Sequence, residues 1–284
     1  MARNFPNIVD YVRDQLDTFA QRDLCRVDSL VFSCLSYLQI PDEALPTLAN
    51  GGMPLRSLYR AEWFDAMAAR SVYYARIAER TKCEVFCLDS ELDRMVEEND
   101  RWKAVIAAVR KVYSGPVTSC HTLHTGVVDF GRFLSDPNHW FHSLDYLTIS
   151  YYCPARTRDD QGKELSVEDM MARLKGAHAK MKAIAQATGK PIVFGECGCP
   201  SIRDAAVSPS ALDVKAVPDE DEQAKYMEAL FRVFAREEWC RGFHWWKWDQ
   251  HTPLKPGVTP EQCRARDFTF RGKKAEQVFR RYEE

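Results

Sequence analysis

No stretch of this sequence approaches the roughly 20 consecutive apolar residues of a membrane-spanning helix. The longest apolar runs, such as 29–40, are strand-sized. The N-terminus, MARNFPNIVDYVRD, lacks the apolar core of about 7–15 residues found in secretory signals. The expectation is a cytoplasmic protein without a membrane partner, or a secreted one if the native gene begins upstream of Met1. An excess of one charge sign is also missing: 39 Lys+Arg stand against 41 Asp+Glu, a net charge of -2. That balance argues against a general nucleic-acid binder. Neither GxGxxG nor a GxxxxGK phosphate loop occurs, which weighs against a doubly wound nucleotide-binding sheet. The ten cysteines are scattered, and Cys34, Cys87, Cys120 and Cys153 sit inside apolar runs. This is the pattern of free, buried thiols in a reducing compartment. Cys197 and Cys199 form a CxC, but no second pair stands at zinc-binding spacing, so neither a metal nor a cofactor is expected.

What is present is alternation. With 45% apolar and 28% charged residues over 284 positions, the chain has the composition of a globular protein. Helical periodicity marks 5–22, where Ile8, Val9, Val12, Leu16 and Phe19 share a side, and further helices are expected at 61–80, 100–113, 166–188, 219–237 and 272–282. Strand-like apolar runs occupy 29–38, 84–89, 116–122, 145–152, 191–196 and 241–248, and a short helix is expected within 126–143. Ser166, with Asp169 three residues on, reads as a helix start, and Gly189 as its stop. Residues 41–57, 203–218 and 250–271 read as loops. Strands alternating with helices imply βαβ units and a parallel sheet with both faces covered.

The polar residues gather just after the strands: Glu91, His121, Tyr151, Tyr152, Glu196, Trp245 and Trp246. Chemistry carried at the C-terminal ends of several strands is characteristic of barrel enzymes. Two of these residues, Glu91 and Glu196, are carboxylates. Glycoside hydrolysis needs such a pair: one donates a proton to the departing oxygen, and the other attacks the anomeric carbon or activates water. Two surface glutamates at a loop edge would give the same spacing. The aromatics add weight, because sugars present apolar C–H faces that stack on rings. GFHWWKWD carries Trp245, Trp246 and Trp248, and ISYYCP carries Tyr151 and Tyr152. Strand neighbours point to opposite sides, so one of each adjacent pair faces the mouth.

Five segments carry a resemblance: 62–92 (EWFDAMAARSVYYARIAERTKCEVFCLDSEL), 144–154 (LDYLTISYYCP), 190–201 (KPIVFGECGCPS), 242–249 (GFHWWKWD) and 267–282 (DFTFRGKKAEQVFRRY). In this order the chain resembles glycoside hydrolase family 113, the β-mannanase-like barrels of the clan A glycoside hydrolases, over about residues 60–282. The resemblance implies a single domain over 1–284 of the α/β class, a (β/α)8 TIM barrel acting with retention and without a metal. It matches Glu91 to the acid/base and Glu196 to the nucleophile. It matches Tyr152 to the residue that hydrogen-bonds the nucleophile, and Trp245 and Trp246 to the pair of which one floors the sugar site. His121, on a strand that lacks the family's Asn-Trp, is expected to contact substrate.

The sequence departs from the family in several places. Ser90 and Gly195 precede the two glutamates where the family usually has Thr, and glycine is expected to open space beside Glu196. Cys153 replaces an aromatic. Six strands are recognisable where a closed barrel needs eight, so the barrel is expected to be incomplete at its N-terminus. The open side is expected to be covered by a homodimer, because free sheet edges pair. The substrate expected is β-mannan or manno-oligosaccharide. Two alternatives remain: a hydrolase of amino-sugar polymers such as chitosan, favoured by an acidic mouth at Asp89, Asp93 and Asp249, and a non-catalytic glycan-binding or assembly module on a degenerate barrel. A cysteine-based activity at Cys197 or Cys199 lacks a neighbouring base.

Overall fold

The computed structural model describes residues 53–123, 128–248 and 259–282. The expected helix at 5–22 and strand at 29–38 lie outside the described residues, as does Asp249. The described residues form two compact units, the first drawn from 53–119 and 136–145, the second from the rest of the described chain.

The first unit holds α1 (Met53–Thr81), β1 (Phe86–Ser90), α2 (Asn99–Arg110), the opening half of β2 (Val117–Thr122) and a 3-10 turn at Trp140–Ser143. Helix α1 begins earlier than its periodicity suggested. Gly51, Gly52 and Pro54 read as loop, yet Pro54 sits in the helix's first turn, where a missing N–H costs no hydrogen bond. Phe64, Met67, Tyr74, Ala75 and Ala78 are buried along one stripe of α1, the spacing of a core-facing helix. Helix α2 buries Trp102, Val105, Ile106 and Val109 in the same way. Trp102 stacks on Trp140 at 5.0 Å and meets Phe64 edge-on at 5.2 Å. Both indole N–H groups are satisfied, Trp102 donating to Met95 O and Trp140 to Val96 O, each at 2.8 Å. All five residues of β1 are buried, including Asp89, which accepts a hydrogen bond from the Ser119 hydroxyl.

The second unit holds the latter half of β2, α3 (Phe130–Ser135), β3 (Leu147–Ser150), α4 (Val167–Thr188), β4 (Ile192–Cys197), α5 (Glu220–Phe234), β5 (Cys240–Trp245), α6 (Pro260–Arg264) and α7 (Lys274–Arg280). Sheet order follows chain order, with β1 beside β2 in the first unit and β2-β3-β4-β5 in the second. The pairings β2–β3, β3–β4 and β4–β5 are parallel, so each connection must cross over, and α4 and α5 are the long crossovers. Helix α4 has the expected ends: a reciprocal Ser166–Asp169 capping box and Gly189 at φ 62°, a left-handed position that glycine takes without steric cost. Phe194 of β4 stacks on Phe243 of β5 at 4.9 Å and meets Phe234 of α5 at 5.0 Å. This aromatic layer fills the space between the sheet and α5. The loop read at 250–271 contains α6.

Candidate active site

Glu196 is the penultimate residue of β4 and stands at an irregularity. Ile149 pairs with Phe194, but Ser150 pairs with Glu196, so β4 carries one extra residue there. Such a bulge re-aims the side chain at the strand exit. The backbone is tied down on both sides: Tyr151 N–H donates to Glu196 O at 2.8 Å, and Trp246 N–H donates to Cys197 O at 2.7 Å. Between these ties, Tyr152 Oη donates to Glu196 Oε1 at 2.7 Å. A hydroxyl donating to a carboxylate makes a charge-assisted bond, stronger than a neutral one, and it fixes which way the carboxyl group faces. Tyr152 is itself buried and meets the ring of Phe268 edge-on at 6.2 Å.

Two glycines let the neighbouring strands close around this residue. A Cβ at Gly195 would run into Thr148 Cγ2 and Cys120 Sγ, and one at Gly198 into the carbonyl oxygen of Trp246. The expectation that Gly195 opens space beside Glu196 is therefore corrected. The volume that a threonine at 195 would take is occupied by Thr148 of the adjoining β3 and Cys120 of β2 beyond it.

The tryptophan pair divides cleanly. Trp245 is 8% exposed and lies in the α5 aromatic layer, edge-on to Tyr226 at 5.9 Å and to Phe231 at 6.0 Å. It is a core residue, whereas Trp246 is 41% exposed with Lys247 Nζ 5.9 Å from its ring centre. The Trp246–Lys247 peptide is cis. His121 is also corrected. It is 1% exposed and in register with Ile149, which pairs with Phe194. Partners in register point to one face, and Phe194 faces α5, so His121 is turned toward the helix-covered side.

Glu91 belongs to the first unit. It directly follows β1, is partly exposed, and adopts φ 59°. A left-handed conformation at a residue with a long side chain is uncommon and persists only where the surroundings enforce it, which happens most often at functional sites. The acidic mouth expected near it is not formed by Asp89 and Asp93, which are both buried. Cys153, Cys197 and Cys199 are wholly buried, and burial pushes each thiol well above its ordinary range. They are protonated at neutral pH and unsuited to nucleophilic attack. Among the described residues, no group of three or more His, Cys, Asp or Glu is placed to hold a metal ion.

The sequence reading missed a strap formed by residues 267–270. Lys247 N–H donates to Phe268 O, and Phe270 N–H to Lys247 O, each at 3.3 Å, which extends the exit of β5. The strap is pinned by Lys273, whose Nζ lies 3.0 Å from Asp267 Oδ1 and 2.7 Å from Ser201 Oγ. Gln223 of α5 adds bonds to Cys199 O at 2.8 Å and Phe268 O at 3.2 Å. The alternation in DFTF was the available signal, hidden by its short length. Arg156 was missed as well: its buried guanidinium forks onto Glu222 at 3.0 and 2.8 Å, fastening the segment after β3 to the start of α5.

The model of Glycoside Hydrolase Family 113 matches residues 53–273. Among solved structures, the GH113 β-mannanase AaManA from Alicyclobacillus acidocaldarius, in complex with ManMIm, is 27% identical with a TM-score of 0.59, over 78% of this chain and 62% of that one. A second GH113 β-1,4-mannanase, solved as a complex, is 28% identical with a TM-score of 0.58, over the same shares. The β-glucuronidase from Ruminococcus gnavus in complex with D-glucuronic acid is 17% identical with a TM-score of 0.54, over 79% of this chain and 37% of that one, a likeness of fold alone. No curated protein matches. The chain spans 62% of the length of the two mannanases. The parallel sheet with covering helices is the α/β, TIM-barrel-type architecture read from the sequence, and the chain belongs to glycoside hydrolase family 113.

Proposed function

We propose that the protein is a retaining glycoside hydrolase acting on β-linked glycans, with β-mannan or manno-oligosaccharides as substrate. The observation that carries this reading is the 2.7 Å bond from Tyr152 Oη to Glu196 Oε1 at the exits of adjacent strands. In the proposed reaction, Glu91 protonates the departing glycosidic oxygen while Glu196 attacks the anomeric carbon and forms a glycosyl ester. Glu91 then takes a proton from water as that water displaces the ester, so the configuration is restored. Tyr152 holds the attacking carboxylate in orientation, and Trp246 offers an apolar floor to the sugar ring.

Support for mannan comes from family membership and from the mannanases that the chain resembles at 27% and 28% identity. The chitosan alternative loses two of the three acids it rested on, because Asp89 and Asp93 are buried. The test is a product assay of wild type, Glu91→Gln and Glu196→Gln on β-mannan, manno-oligosaccharides, cellulose oligomers and chitosan, read by mass spectrometry, with proton NMR following the first anomer released. Turnover by wild type with β-anomer formed first, and lost in both variants, is expected. An α-anomer formed first, or turnover that survives Glu196→Gln, would sink the mechanism. Glycan binding without turnover would assign the chain to a binding module instead.

A further inference from the structure

Tyr152 and Glu196 leave adjacent strands, so their meeting depends on how the exits of β3 and β4 are held against each other. One turn of α5 holds both. Gln223 and Tyr226 stand three residues apart, a spacing that places them on one face of the helix, and both are 0% exposed. Tyr226 Oη donates to Cys153 O at 2.9 Å, the carbonyl of the residue directly after Tyr152. Gln223 Nε2 donates to Cys199 O at 2.8 Å, three residues past Glu196, and to Phe268 O at 3.2 Å. Phe268 is the residue whose ring meets Tyr152 edge-on. Three backbone carbonyls around the Tyr152–Glu196 pair therefore take donors from a single helical turn. Burial pushes the Tyr226 hydroxyl well above its ordinary range, so it stays a donor throughout the working pH range. A hydroxyl-to-oxygen bond weakens once its partners part by a few tenths of an ångström, and the 2.7 Å bond to Glu196 is correspondingly sensitive to where these segments sit.

We propose that Gln223 and Tyr226 are positioning residues for the reaction. Together they set the β3 exit, the β4 exit and the 267–270 strap so that Tyr152 Oη reaches Glu196 Oε1. The proposal rests on the hydrolase reading above and deepens it: the orientation of the attacking carboxylate is fixed from a helix of the covering layer. Both side chains bond to backbone carbonyls and to neither glutamate, and they act through Tyr152.

The test uses two variants that reach the pair by separate segments. Tyr226→Phe keeps the ring against Trp245 and removes the donor. Gln223→Met keeps the length and removes the amide. Each is measured alone and combined with Tyr152→Phe, for kcat and KM on manno-oligosaccharide. Each alone should lower kcat about tenfold, the loss of part of a charge-assisted bond, with KM unchanged. Neither should lower kcat further once Tyr152→Phe is present, because the bond they serve is already gone. Losses that add to that of Tyr152→Phe overturn the proposal, as does an unchanged kcat in both variants. A variant that fails to fold leaves the other to decide. A second readout needs no turnover. In protein carrying tyrosine labelled with carbon-13 at Cζ, the Tyr152 resonance is the one lost in Tyr152→Phe. It should move between wild type and Glu196→Gln, and each positioning variant should move it toward the Glu196→Gln value. A resonance unmoved in both variants overturns the proposal. A resonance that moves as expected, alongside a wild type that turns nothing over, leaves the positioning of the pair standing and removes the hydrolase reading.

Discussion

Tyr152 and Glu196, carried by neighbouring strand exits, are joined by a hydroxyl-to-carboxylate hydrogen bond of 2.7 Å. Bonds to charged groups contribute about 1.5–3 kcal/mol. Tyr152→Phe keeps the ring against Phe268 and removes only the donor. Its kcat on manno-oligosaccharide should fall about 10- to 100-fold, less than the fall in Glu196→Gln, with the melting temperature nearly unchanged. An unchanged kcat in Tyr152→Phe would show that the bond does not serve the reaction.

The contacts at Gly195 make a second expectation. Gly195→Ala forces Thr148 Cγ2 and Cys120 Sγ apart, and overpacking of this kind costs about 1–3 kcal/mol. Urea denaturation should show that loss. Thr148→Ser removes the offending methyl, and added to Gly195→Ala it should recover part of the stability. Strict additivity of the two changes would mean that the crowding is relieved elsewhere.

Trp245 and Trp246 should separate in opposite senses. Trp245→Ala empties a buried site in the α5 aromatic layer and should cost about 3–5 kcal/mol of stability. Trp246→Ala should leave the melting temperature close to wild type while raising KM on oligosaccharide. Denaturant midpoints and steady-state kinetics on both variants read this directly. The reverse pattern would exchange their roles.

Asp160 supplies a pH dependence. The hydroxyl and amide of Thr157, at 2.6 and 2.9 Å, lead the interactions that hold its carboxyl down to about 2, with Arg173 adding a smaller effect. A folded-state pKa below the unfolded value of about 3.9 means that the unfolded chain binds more protons in that window. The stabilisation is therefore complete above about pH 4 and is lost as pH falls toward 2. Wild-type urea midpoints should drop more steeply between pH 4 and pH 2 than those of Asp160→Asn. Equal slopes would remove Asp160 from the acid response.

The thiols give a fifth expectation. Cys153, Cys197 and Cys199 are buried and protonated, so iodoacetamide at pH 7.5 should leave them unmodified in the native protein and leave turnover unaffected. Labelling of Cys197 that tracks loss of activity would return a cysteine mechanism to contention.

The helix from Ser166 to Gly189 was legible because its ends are local chemistry: a capping box at one end and a left-handed glycine at the other. The strands were legible as apolar runs because both faces of a parallel sheet are covered. Glu196 and Tyr152 were reached through strand exits and family resemblance. Their hydrogen bond was not legible, since a register shift between β3 and β4 decides it. The roles of the two adjacent tryptophans were open in sequence for a related reason. Alternation says that they part, but not which of them meets α5.

The sequence by itself determined the alternation of helix and strand, the helix caps, the family and the residues at the strand ends. The elements and caps follow from propensity, periodicity and side-chain type, which act over a few residues, and the family from the resemblance of five segments. Only the tertiary structure decided that Trp245 is core and Trp246 exposed, and that His121 faces the helices. It also showed that Thr148 and Cys120 fill the space beside Gly195 and that the 267–270 strap braces the exit of β5. Each of these depends on which strand face meets which neighbour, and that is set by contacts between residues far apart in the chain.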